Sequence, residues 1–351
     1  MEQSTIGNRN NIVKYYPNEH YKIMFDQRNG FFARIEDKGF NEPFWSQHGP
    51  ELLDVSITNW CDKDCTFCYR CSNTHGKHIS LSDYVTILDQ AKSLDVFQIA
   101  LGGGNPNQHP DFVKILSLTR SDYAIIPSYT TNGRGLTKEI LTASKEYCGA
   151  VAVSAYEPYN EFYEALELLL KYGVKTNIHF LLDANSIGTA IKWLTEKPSF
   201  IKDVNAIIFL NYKPIGKYGD CSLLLNKSER LKNFFDIVSS NKFSFKIGFD
   251  SCSVPGIVKY LNVKPMFYEA CEAARFSAFI SEDLTMYPCS FMIHSGDKAN
   301  LKEQELKDIW REGLAFKTIR DRIKYNDCDD CNHEISCLGG CPFLPEINLC
   351  N

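Results

Sequence analysis

The sequence predicts an α/β protein with a largely parallel sheet, followed by an irregular, cysteine-rich C-terminal domain. From Leu52 onward, short apolar runs alternate with amphipathic stretches, as in a chain of strand–helix units. Beyond roughly residue 245 this alternation stops. More than half of the 14 cysteines lie in that last part, where the spacing Cys-x-x-Cys appears. Such clustering indicates metal binding.

The composition is that of an ordinary globular chain. Of 351 residues, 44% are hydrophobic and 23% are charged. A net charge of -5 argues against broad binding to nucleic acid or anionic membranes. The N-terminus lacks the features of a signal peptide, and no apolar run approaches the roughly 18 residues of a membrane span. We therefore expect a cytoplasmic protein with reduced cysteines and with no nucleic-acid or membrane partner.

Three regions are expected along the chain. Residues 1–50 form an N-terminal hairpin extension, because the apolar segments 21–25 and 31–35 flank a good turn sequence. Residues 51–244 form the α/β core, and residues 245–351 the C-terminal domain. The core strands are predicted at 52–58, 97–101, 124–130, 150–155, 175–182 and 204–210.

Helical patterns fill the gaps between these strands. One pattern carries apolar residues from Leu81 to Leu88, with Ser80 as its N-cap, and another ends near Gly173. Strand–helix repeats of this kind give a parallel sheet with right-handed crossovers. Periodicity alone is compatible with an open sheet and with a barrel. In either case functional groups should gather at the carboxyl ends of the strands.

The first cysteine group directly follows the first core strand. Cys61, Cys65 and Cys68 lie within eight residues of a loop and can hold three corners of an iron-sulfur cluster, or a zinc ion. Three ligands leave one metal position open for a substrate or cofactor. A structural zinc loop would show the same spacing.

This group resembles the radical SAM signature, C-x3-C-x-aromatic-C after the first strand of a partial (β/α)6 TIM-like barrel, with Phe67 at the aromatic position. The resemblance implies a [4Fe-4S] cluster whose open iron binds S-adenosylmethionine. Reductive cleavage of that cofactor gives a 5′-deoxyadenosyl radical, which abstracts a hydrogen atom from substrate. In such enzymes the cofactors supply the radical, and the protein orients the substrate.

The ends of later strands resemble the family's cofactor contacts. A glycine-rich turn follows the second strand and resembles the Gly-Gly-Glu-Pro motif, with Gly104 where glutamate is usual and Asn105 before Pro106. A Thr-Asn-Gly turn follows the third strand, and Ser154 lies on the fourth. His179 on the fifth strand is a weaker candidate. The implied cofactor-binding residues are Phe67, Gly102, Gly103, Gly104, Asn105, Pro106, Thr131, Asn132 and Ser154.

The C-terminal cysteines resemble the seven-cysteine SPASM extension of many radical SAM enzymes. The shared features are the spacings 2, 5 and 3 after Cys328 and the segment 296–310, which resembles the turn and helix of that domain. One departure is Leu284, where the family has glycine. The resemblance implies two auxiliary [4Fe-4S] clusters, and hence three in all. The first would use Cys271, Cys289 and Cys341, and the second Cys328, Cys331, Cys337 and Cys350.

Two points stay open in this scheme. The fourth position of the first auxiliary cluster is either filled by another cysteine, with Cys252 the nearest spare thiol, or open to substrate. Two structural zinc ions would use the same ligand chemistry. The remaining thiols, Cys71, Cys148 and Cys221, have no assigned role.

Members with this extension mostly modify peptides, and the resemblance implies oxidative maturation of a ribosomally made peptide, such as a thioether or carbon–carbon crosslink. Alternatives are a dehydrogenase acting on a sulfatase-type protein or small molecule, and a non-catalytic metal scaffold.

Fifty residues before the core are too few for the winged-helix domain with which several peptide maturases bind leaders, so a separate leader-recognition protein is a possible partner. An electron donor such as flavodoxin or ferredoxin is also expected. Candidates for a catalytic acid or base are Asp250, Asp283, Tyr212 and His294.

Overall fold

The computed structural model describes residues 11–296, 298–326, 328 and 331–350. The strands are β1 (Asn11–Tyr16), β2 (Tyr21–Asp26), β3 (Phe31–Glu36), β4 (Leu52–Thr58), β5 (Gln98–Gly103), β6 (Ile126–Thr131), β7 (Val151–Ala155), β8 (Thr176–Leu182), β9 (Ala206–Asn211), β10 (Lys246–Phe249), β11 (Ser277–Ile280), β12 (Thr285–Tyr287) and β13 (Ala299–Asn300). The α-helices are α1 (Leu81–Ser93), α2 (Phe112–Ser117), α3 (Lys138–Tyr147), α4 (Asn160–Lys171), α5 (Ile187–Glu196), α6 (Leu231–Ser240), α7 (Val254–Tyr260), α8 (Leu306–Glu312), α9 (Leu314–Lys324) and α10 (Glu334–Cys337). No helix within these residues is long and apolar enough to cross a membrane.

Ten of the described strands form one sheet, in the order β10-β9-β8-β7-β6-β5-β4-β11-β12-β13. Strands β4 to β10 are all parallel, and the six predicted core strands are present with bounds shifted by at most two residues. Strand β10 is a seventh parallel strand that periodicity did not predict. The parallel α/β architecture is therefore confirmed.

The sheet curves into a partial barrel with its helices outside. A single cavity is lined by residues of every strand from β4 to β9 and by Asp250 after β10, which requires the sheet to bend around that space. The outward-facing residues of β4 (Leu53, Val55 and Ile57) are fully buried against the helix layer. Helix α1 starts as predicted, because the Ser80 hydroxyl accepts the Asp83 N–H at 3.0 Å.

The N-terminal strands form a separate antiparallel sheet, β1-β2-β3, which contains the predicted hairpin. Its turn is held by Asp26, whose carboxylate accepts the Arg28 N–H at 2.9 Å, and it closes at Gly30 with φ +75°. The apolar face packs on Phe97, just before β5, and on Ile126, the first residue of β6. The Phe25 and Phe97 rings meet edge to face at 5.7 Å. This sheet thus covers the amino ends of the barrel strands.

The C-terminal region extends the barrel sheet, because β11 pairs in parallel with β4. Helices α8 and α9 are anchored by the fully buried Trp310, whose indole N–H donates to the Ser46 carbonyl at 2.7 Å. Leu284, at the position where the family has glycine, adopts φ +67° in the turn between β11 and β12. That left-handed conformation costs about 1–2 kcal/mol, which burial of the leucine side chain offsets. The boundaries at residues 50 and 244 remain predictions.

One buried arginine joins the N-terminal sheet to the other two regions. The Arg34 guanidinium, on β3, lies 2.7 Å from Glu51 beside the barrel, and 2.9 Å and 3.2 Å from Glu269 and Glu272 in the C-terminal region. It also stacks on Phe276 at 3.6 Å. The side chains of Arg34 and Glu51 are only 6% and 3% exposed, so the Glu51 carboxylate depends on Arg34 for compensation of its charge.

We predict that Arg34→Met destabilises the folded protein by about 3 kcal/mol, since it leaves the buried Glu51 carboxylate without its partner. The change is measured as the shift of the urea unfolding midpoint. Arg28→Met is the control, because it removes an arginine from an exposed ion pair with Asp26; such pairs contribute less than ~1 kcal/mol. Equal shifts for the two variants would contradict the role assigned to Arg34.

Candidate active site and metal centres

A cavity of about 470 Å³ lies inside the sheet of the barrel. Alternate residues of a strand face the same side of a sheet, and β4, β6, β7 and β8 each place polar residues on the inner side. The cavity is lined from these strands by polar residues that include Asp54, Ser128, Thr130, Thr131, Ser154, Asn177 and His179. An ordinary barrel core would be filled with apolar side chains, whereas this interior keeps a cavity in which polar groups on an otherwise apolar wall can orient a ligand.

The first cysteine group opens into this cavity. Cys61, Cys65 and Cys68 line its rim, on the loop that leaves the carboxyl end of β4. Asn132 donates its side-chain N–H to the Cys61 sulfur at 3.5 Å. Burial raises the pKa of Cys65 to about 11, although Lys63 acts in the opposite direction. The Cys65 thiol is therefore neutral near pH 7 unless a metal stabilises its thiolate form.

The glycine-rich turn after β5 packs its backbone directly on that loop. Gly104 donates its N–H to the Thr58 carbonyl at 2.7 Å, and Gly103 has φ +114°. A Cβ atom at Gly104 would overlap the Trp60 carbonyl oxygen, so no side chain fits there. The polar side chain of the turn comes from Asn105 instead. Its fully buried amide donates to the Arg134 carbonyl at 3.1 Å, and Pro106 follows it as the first residue of a short 3₁₀ turn.

The other predicted cofactor contacts lie around the same cavity. Thr131 and Asn132 line it, but the Thr131 hydroxyl is engaged with Asn107 at 2.7 Å and thus holds the turn together. Ser154 points into the cavity from β7, and Phe67 packs edge to face on Tyr156 at 4.6 Å. The structure thus brings the three cysteines and seven of the nine predicted cofactor-binding residues together around one cavity, whereas Asn105 and Pro106 do not line it.

Lys213 and Asp54 line the cavity and were missed by sequence reasoning, whereas Asp250 and His179 were among the candidates. Lys213 forms a buried ion pair with Asp250, and although burial lowers the pKa of Lys213, this carboxylate raises it above the ordinary value. Asp54 lies in the lumen, where burial raises its pKa to about 6 against the opposing effect of Arg70. Burial also lowers the pKa of His179 to about 4, so that its imidazole is neutral.

The four candidate acids and bases separate into two pairs. Asp250 and Tyr212 line the barrel cavity. Asp283 instead lies in the turn between β11 and β12, where it accepts the Ser281 hydroxyl at 2.5 Å, and His294 is exposed. Neither of these two lines a described cavity that contains cysteines.

A second, smaller cavity of about 140 Å³ holds four cysteines. They are Cys252, Cys271, Cys289 and Cys341. Burial raises the pKa of Cys289 to about 12. The wall between the two cavities is shared, since Asp54, Lys213, Ser290 and Phe291 line both of them.

The last four predicted ligands also come together. Burial raises the pKa of Cys337 to about 11, and the nearby Cys350, Cys328 and Cys331 add to that rise. Helix α10 carries Cys337, and the glycines Gly339 and Gly340 that follow it have φ +80° and +76°. The chain therefore reverses sharply next to the sulfur atoms.

The sulfur environments fit iron-sulfur clusters. Backbone N–H groups two residues further along the chain donate to the sulfurs of Cys61, Cys271, Cys289 and Cys341. Hydrogen bonds of this kind stabilise thiolate ligands and tune cluster potentials. Within the described part of the chain, no group of three His, Cys, Asp or Glu side chains is arranged to hold a single metal ion.

Comparisons with known proteins agree with this geometry. Residues 55–166 match the model of the Radical SAM superfamily, and residues 271–332 match SPASM, an iron-sulfur cluster-binding domain. The protein is therefore a radical SAM enzyme with a C-terminal SPASM domain, and its cofactors are iron-sulfur clusters and S-adenosylmethionine.

Three known proteins are similar over most of the chain. Mycofactocin maturase MftC of Mycobacterium tuberculosis is 22% identical over 326 residues, which cover 83% of this chain and 78% of that protein. The crystal structure of Streptococcus suis SuiB bound to S-adenosylmethionine superimposes with a TM-score of 0.74 at 17% identity, covering 96% of this chain and 95% of that one. A structure of anSMEcpe with bound AdoMet gives a TM-score of 0.62 at 19% identity, covering 83% of this chain and 86% of that one.

We predict that Gly104→Ala lowers the rate of 5′-deoxyadenosine formation about 100-fold. The added methyl group forces the glycine turn away from the cysteine loop, and a displacement of about 1 Å can cost this much in rate. The rate is measured anaerobically with dithionite and S-adenosylmethionine. Gly296→Ala is the matched control, because no atom lies within 4 Å of a Cβ at that glycine. A normal rate for Gly104→Ala would show that the contact is unimportant.

Proposed function

We propose that this enzyme cleaves S-adenosylmethionine reductively and uses the radical to modify a ribosomally made peptide oxidatively, by a crosslink or a related maturation. The observation that carries this proposal is the opening of three cysteines, beside a glycine-rich strand end, into a polar cavity within the barrel. When bound, the cluster and S-adenosylmethionine supply the 5′-deoxyadenosyl radical.

The residues of the chain provide the surroundings for that chemistry. Gly102 to Gly104 present backbone groups where an ammonium group of the cofactor can be bound, and Asn132 supports the cluster through Cys61. Ser154, with the aromatic pair Phe67 and Tyr156, lines the cavity where the adenosyl group would lie. Because the sheet and its helices enclose this space, the radical is kept away from water.

A peptide substrate is supported by the relatives. MftC is a maturase, and SuiB has been solved bound to its precursor peptide SuiA. Loss of a hydrogen atom followed by loss of an electron and a proton makes such a modification oxidative, and the iron-sulfur sites next to the barrel offer an exit for the electron. Oxidation of a sulfatase-type protein or dehydrogenation of a small molecule would use the same cavity and is the alternative.

Three [4Fe-4S] clusters are the proposed complement. The first uses Cys61, Cys65 and Cys68, the second the group around Cys271, and the third the group around Cys337. An electron donor such as flavodoxin or ferredoxin would reduce the first cluster, and a separate leader-recognition protein would present the peptide. The N-terminal sheet lies at the opposite end of the barrel strands from the cysteines. Arg34 ties this sheet to the core.

The test begins with anaerobic reconstitution with iron and sulfide, followed by counting of both. About twelve irons per chain, with 5′-deoxyadenosine formed on addition of dithionite and S-adenosylmethionine, would support three clusters and radical chemistry. Short peptides encoded beside the gene are then added, and a peptide product lighter by two hydrogen atoms would support the substrate class. Zinc in place of iron would overturn the proposal.

We predict that Cys65→Ala abolishes formation of 5′-deoxyadenosine and lowers the iron content by about four atoms, because one ligand of the first cluster is lost. Cys221→Ala is the control, since that exposed thiol lines neither cavity. Retained 5′-deoxyadenosine formation in Cys65→Ala would refute the ligand assignment.

We predict a different result for Cys337→Ala. It removes a ligand at the site most distant in sequence from the barrel, so some cleavage of S-adenosylmethionine without product is expected, while product formation falls below detection. Product and 5′-deoxyadenosine are quantified in the same reaction. Normal product formation would show that this site is not needed for turnover.

A further inference from the structure

We propose that Cys252 is the fourth cysteine ligand of the first auxiliary site and that this site is therefore closed to substrate. The inference rests on the proposed function, in which the group around Cys271 holds an iron-sulfur cluster. Cys252 lies outside residues 271–332, the segment matched by the SPASM model. Its assignment therefore comes from its position in this fold.

The backbone that carries Cys252 is fixed by hydrogen bonds to Asp250. Strand β10 ends at Phe249, and the 3₁₀ turn Ser251–Ser253 follows. Asp250 accepts the Asn211 N–H at 3.2 Å and the Ser253 hydroxyl at 2.7 Å, and it is paired with Lys213. The turn is thus bound from both sides, so the Cys252 side chain is directed to one place.

The Cys252 side chain lies in the smaller cavity with Cys271, Cys289 and Cys341, which is the cysteine cavity. The Cys252 thiol is hydrogen-bonded to the Cys341 thiol, and Cys271 and Cys289 are its electrostatic neighbours. All four sulfurs line the same space of about 140 Å³. None of the three cysteines without an assigned role lines it. The hydroxyls of Ser251 and Ser290 also line this cavity, but iron-sulfur clusters select thiolates.

One positive charge lies beside this group of thiols. Four thiolates and a cluster form an anionic centre, and nearby positive charge stabilises a buried anion. The Lys213 ammonium, which is paired with Asp250, also interacts with Cys252 and Cys289 and lies 4.9 Å from the Phe291 ring. The same lysine lines the barrel cavity. Substrate in the barrel would then meet this wall, and it would not bind to iron of the auxiliary site.

The test uses the full chain with Cys61, Cys65 and Cys68 all changed to Ala, so that no open iron of the first cluster can bind a probe. This parent protein is reconstituted anaerobically, reduced with dithionite and mixed with imidazole. Nitrogen hyperfine coupling in pulsed EPR reports imidazole bound to iron. The parent is compared with versions that also carry Cys252→Ala, Cys252→Ser or, as a matched control, Cys221→Ala.

We expect about eight irons per chain in the parent protein and no nitrogen coupling, with the same result for Cys221→Ala. Cys252→Ala should gain the coupling, because one iron is then open. Cys252→Ser should show a shifted cluster spectrum without coupling, since an oxygen ligand replaces sulfur; this variant decides the matter if the alanine variant does not fold.

Three results would overturn the inference. Coupling in the parent protein would mean an open site, and an absence of coupling in folded Cys252→Ala would mean that Cys252 is no ligand. An unshifted spectrum for Cys252→Ser would mean the same. Failure of the proposed function is distinguishable, because the parent protein would then hold zinc or no iron at all.

Discussion

The close contact between the glycine turn and the cysteine loop is the constraint on which the active site depends. Both segments leave the carboxyl ends of neighbouring parallel strands, β4 and β5, and their backbones approach so closely that Gly103 and Gly104 leave no room for side chains. The Thr58 and Trp60 carbonyls accept the N–H groups of this turn. The cysteine loop is therefore positioned by backbone hydrogen bonds, which are independent of side-chain rotamers.

The buried thiols impose a second requirement. Burial raises the pKa of Cys65, Cys289 and Cys337, so that the protein alone favours neutral sulfur at each site. Metal binding must supply the free energy that ionises them, assisted by backbone N–H donors. Folding of the cysteine-rich C-terminal region and loading of its metal are for this reason coupled.

The C-terminal region is joined to the barrel as a continuation of it. Strand β11 adds to β4 in parallel, which places the cysteine cavity next to the lumen, with Lys213 and Phe291 between them. On the other side, Arg34 ties the N-terminal sheet to carboxylates of both regions. In the proposed function, an electron leaving the barrel would therefore cross only the wall that the two cavities share.

The sequence by itself determined the parallel α/β core, because that depends on periodicity, and its resemblance to a known family predicted the grouping of ten cysteines. It also contained a signal that was missed: in β4 the polar residues Asp54, Ser56 and Thr58 alternate with apolar ones, as expected for a strand with one polar face. Only the tertiary structure placed Cys252 beside Cys341 and Lys213 beside Asp250. Those contacts join residues distant in sequence, and the curvature of the sheet, which no local pattern encodes, brings them together.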